Sequence, residues 1–74
     1  MMIIISYRVP GSFGSDREKD HKIIELAKSL EGKFVGSGSG CGRRDLEFEF
    51  VDLIKAEEFM QRCRQLGLDV SEVD

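Results

Sequence analysis

Between Leu46 and Phe50 the chain alternates strictly: Leu46, Phe48 and Phe50 are large and apolar, whereas Glu47 and Glu49 are acidic. Successive side chains of a strand point to opposite faces, so this spacing specifies a strand with one buried and one wetted face. The alternation also assigns the faces. Turning the rings outward would press two unpaired carboxylates into the core, at several kcal/mol each. Stacking of a nucleic-acid base on an exposed ring returns only about 1–3 kcal/mol. The rings are therefore expected beneath the rest of the fold and the glutamates in water, which argues against a sheet that binds RNA through aromatic side chains.

The other segments supply what such a strand needs. Residues 2–9 carry the β-branched run Ile3, Ile4, Ile5, followed by Tyr7 and Val9; apolar residues on both faces suit a central strand. Pro10-Gly11 and Gly14 mark the turn that ends it. Ser15 followed by Glu18 forms a capping-box pattern, and Asp16, Glu18 and Asp20 favour the positive end of a helix dipole. Ile23, Ile24, Leu26, Ala27 and Leu30 then recur at helical spacing, which predicts a helix over residues 16–31, with Gly32 as its left-handed stop. A second strand begins at Lys33–Gly36 and forms an antiparallel hairpin with the alternating strand, residues 45–51. Asp52 caps a second helix whose buried stripe is Ala56, Phe59, Met60, Cys63 and Leu66, closed by Gly67. Leu68 to Val73 makes a short last strand, or residues 69–74 fray. The expected fold is α+β: one domain, residues 1–74, in a two-layer β-α-β-β-α(-β) sandwich. Both helices would cover one face of an antiparallel sheet, the ferredoxin-like layout. Ile3, Ile5 and Tyr7, or their even-numbered neighbours, would join the core, and Glu47 and Glu49 would stay solvated, beside Arg8 of the neighbouring strand.

The segment Gly36-Ser37-Gly38-Ser39-Gly40-Cys41-Gly42 places a glycine at every other position. It reads as a flexible hairpin loop, as one face of a longer strand against which a helix packs too closely for side chains, as a contact for a protein partner, or as an anion nest of backbone N–H groups. The nest would use Gly38, Gly40 and Gly42, with Arg43 and Arg44 at its rim. The spacing fits neither a phosphate-binding loop, which needs a lysine leading into a helix, nor the G-x-G-x-x-G dinucleotide fingerprint. Cys41 lacks a neighbouring base, because the single histidine, His21, lies among charged residues of the first helix. Cys63 falls on the apolar stripe of the second helix as a core residue. There is no C-x-x-C or histidine pair for zinc, and nothing marks a pocket that would make an acid–base pair of Glu47 and Glu49. No catalytic residue, metal or cofactor is expected.

Seventy-four residues bury only about 60% of the unfolded surface, so the stability margin is small and a partner subunit would help. Two cysteines far apart do not make a disulfide scaffold, which points to a reducing, cytoplasmic setting. The apolar start at Met1–Ile5 has no basic segment before it and reads as a strand rather than a signal peptide. No run reaches the length of a membrane span. A net charge of −3 argues against duplex nucleic acid as a partner.

The stretch from Gly36 through Arg43-Arg44-Asp45 to Phe50, with a following helix that ends in Leu66-Gly67, resembles a pattern in small uncharacterised bacterial proteins. There a glycine-rich strand runs into Arg-Asp and an alternating aromatic strand. The likeness covers residues 33–68 and implies no particular activity. The layout is also similar to small-molecule-sensing domains of the ACT type, at the level of fold. The expected function is that of a small non-enzymatic domain acting through protein contact, as a homodimer or with another protein. The alternative is a regulatory domain that binds a small ligand or anion through Gly36–Arg44.

Overall fold

The computed structural model describes residues 1–9 and 16–73. The elements run β1 (Met2–Arg8), α1 (Arg17–Ser29), β2 (Lys33–Gly40), β3 (Arg43–Glu49), α2 (Leu53–Gln65) and β4 (Asp69–Val73). The four strands form one antiparallel sheet in the order β2-β3-β1-β4. The chain has the α+β, ferredoxin-like arrangement that the sequence pattern specifies.

Register sorts the side chains. Ile3 lies opposite Phe48 and Ile5 opposite Leu46, and all four are completely buried. With Tyr7 and Phe50 they form the sheet half of the core; Ile23 and Ala27 of α1 and Ala56, Phe59, Met60 and Cys63 of α2 form the helix half. Phe59 stands between Phe48 and Phe50, with ring centroids 5.1 and 5.0 Å away. Met2 and Ile4 fall on the opposite face, paired with Glu49 and Glu47. The glutamates are exposed, as the alternation requires.

Helix ends follow local chemistry. Asp16 is the N-cap of α1, and its side chain accepts from the Lys19 amide. The Ser15 cap and the Pro10, Gly11 and Gly14 turn lie outside the described residues. At the other end the left-handed residue is Glu31, with φ 62°, and not Gly32. The Gly32 amide donates to the Ala27 carbonyl and the Glu31 amide to that of Lys28, a Schellman motif. Gly32 is required for another reason: a Cβ there would sit 2.2 Å from Cζ of Phe50. Asp52 caps α2 as expected, accepting from the Ile54 and Lys55 amides. Gly67, with φ 80°, closes that helix. Leu66 departs from the expected stripe. It is the C-cap residue, past the last regular turn, and it is 65% exposed.

Residues 36–40 are strand, which decides between the loop and strand readings of the glycine stretch. A bulge between Phe34 and Gly36 resets the register, so that Gly36, Gly38 and Gly40 oppose Glu47, Asp45 and Arg43. The glycines therefore share the open face with these charges, away from the helices. Cys41 and Gly42 make the two-residue turn, with φ 53° and 75°, the signature of the type I′ hairpin.

Candidate protein-interaction surface

The five residues singled out by sequence as an anion site are dispersed by this geometry. Gly38 and Gly40 are extended strand residues, and Gly42 is the second residue of the turn. Arg43 points along the open face and its Nη2 lies 2.6 Å from Asp69 Oδ2 on β4. Arg44 points to the helix face. Its Nε donates to Asp20 Oδ2 of α1 at 3.1 Å, with Nη2 3.0 Å from the same oxygen, and its Nη1 donates to Ser39 Oγ at 3.0 Å. Asp20 is nearly buried, and its other oxygen accepts from the Tyr7 hydroxyl. That hydroxyl accepts in turn from the Asp16 amide at 3.2 Å. The ring of Tyr7 lies 4.8 Å from the Lys19 ammonium. Tyr7, Asp20 and Arg44 thus tie β1, α1 and β3 together, with each polar group satisfied. Burial, and then the hydrogen bond to Asp20, push the Tyr7 hydroxyl up to about 12, so it holds its proton across the physiological range.

Arg8 does not stand beside Glu47 or Glu49. Its register partner is Arg43, and like charges directly opposite are unfavourable. Around them, at the tip of the hairpin, Arg8, Val9, Cys41, Gly42 and Arg43 line a cleft of about 550 Å³. Cys41 is exposed there. Cys63 is buried in the core, and burial pushes its thiol up to about 12. His21 is exposed on α1. Among the described residues no group of three or more His, Cys, Asp or Glu side chains is placed to hold a metal ion, and no helix is long and apolar enough to cross a membrane.

Two surfaces stand out instead. The first is apolar. Among the described residues eight large hydrophobic ones are exposed: Met1, Phe34, Val35, Val51, Leu53, Ile54, Leu66 and Val73. In this topology β1 and β2 begin, β3 and β4 end, and α2 begins at one end of the sheet. Every one of the eight except Leu66 lies at that end. Ile54 is 83% exposed and Val51 93%. The charges among them balance closely. Lys33 is opposite Glu49, Lys55 is bonded to Glu31, and Asp52 is engaged in capping. Periodicity could not have found this patch, because its members come from four separate segments and only the strand pairing brings them together.

The second surface is the sheet's border at β2, the outermost of the described strands on that side. A Cβ at Gly36, Gly38 or Gly40 would meet nothing within 4 Å. Among the described residues no helix packs against them, and packing there does not call for glycine. Each glycine nevertheless weakens the strand by roughly 0.5–1 kcal/mol.

No protein-family model matches the chain, and no curated protein matches it.

Proposed function

We propose that this chain is a small, non-enzymatic cytoplasmic domain that acts through protein contact, and that its primary contact is with a second copy of itself. One observation carries the reading: the gathering of Met1, Phe34, Val35, Val51, Leu53, Ile54 and Val73 at one end of the molecule. Exposed apolar residues gathered at one end of a small domain mark a contact site. Balanced charge around it suits a self-complementary, isologous pairing, in which the same patch serves both subunits. Burying it would also supply stability that a core of this size lacks. The fold is compatible with many activities and adds nothing to the choice among them.

Light scattering after gel filtration at low micromolar concentration tests this. A homodimer is expected, and Ile54→Asp should convert it to a folded monomer, because Ile54 makes no core contribution. A clean monomer at every concentration up to about millimolar, the weak end of measurable association, overturns it.

The alternative is a regulatory domain for a small anion. It draws support from the facing Arg8 and Arg43 beside the cleft at the hairpin tip, whose repulsion an anion would relieve. A thermal-shift screen of nucleotides, phosphates and amino acids separates the two. A ligand at a hundredfold excess over its dissociation constant stabilises by about 2.7 kcal/mol, and an Arg8→Gln variant should lose the shift.

A further inference from the structure

We draw no further inference here: the strongest candidate, the groove between α1 and α2 lined by Ile23, Leu68 and the exposed Leu66, carries Asp16 and Glu18 beside Lys19 and Lys22 on its rim, so that its charges select no ligand, and nothing in the structure shows what covers it.

Discussion

Tyr7 holds its proton well past the point where a free tyrosine loses it, and the stability of the fold should record this. Its hydroxyl titrates near 12 when folded and about 10 when unfolded. The folded state therefore binds the proton more tightly, and the stability this gives is complete below pH 10 and is lost as the pH rises towards 12. Cys63, also raised to about 12, acts in the same direction from about pH 8.5 upward. Urea melts at stepped pH should show stability falling from about pH 9, and Tyr7→Phe should flatten the portion above 10. At neutral pH Tyr7→Phe should cost about 1–2 kcal/mol, since Asp20 keeps Arg44 but loses the tyrosine hydroxyl. The two thiols should also separate in a reactivity assay. Exposed Cys41 reacts with a thiol reagent in the native protein, whereas Cys63 reacts only after unfolding. The environment of Cys63 follows from its helical spacing; the partnership of Tyr7, Asp20 and Arg44 does not, because three separate segments supply it.

Among the elements, the hairpin is the most open to testing. Cys41 occupies a position where asparagine fits the positive φ better, so Cys41→Asn should raise the melting temperature slightly. Gly42→Ala, at φ 75°, should cost about 1 kcal/mol or more. Gly38→Thr should stabilise by roughly 0.5–1 kcal/mol, given the open space around it. Gly32→Ala should do the reverse, by about 1–3 kcal/mol, because Phe50 is held against Phe59 and cannot retreat. Thermal melts of the four variants rank them. Strands and helices were readable here because each pairs a clear period with its own stop signals. What escaped the sequence were features decided between elements. Gly32 resembles an ordinary helix terminator until the ring above it is placed. Leu66 keeps helical spacing on paper, but its cap geometry takes it off the buried stripe. The glycines of β2 showed their face only once the bulge before Gly36 had set the register.

For the molecule as a whole, the core is thin enough that single residues decide its survival. A domain of this length has a stability of roughly 4–11 kcal/mol, and Phe48→Ala should remove about 3–5 of them. That variant is expected to be largely unfolded at 37 °C by circular dichroism unless association at the apolar end supports it, and so its melting should depend on concentration. The candidate contact surfaces were the least legible part. An exposed Val51 or Ile54 is unremarkable alone, and β2 becomes an edge only when the order β2-β3-β1-β4 is known. That same order has a consequence for the life of the chain during synthesis. The strand with the most β-branched residues, β1, occupies an inner place, where Ile3 awaits Phe48 on one flank and Glu72 on the other. An early sticky segment must thus wait for its late neighbours to emerge from the ribosome, and nascent chains stalled before residue 50 should be those that most engage a holding chaperone.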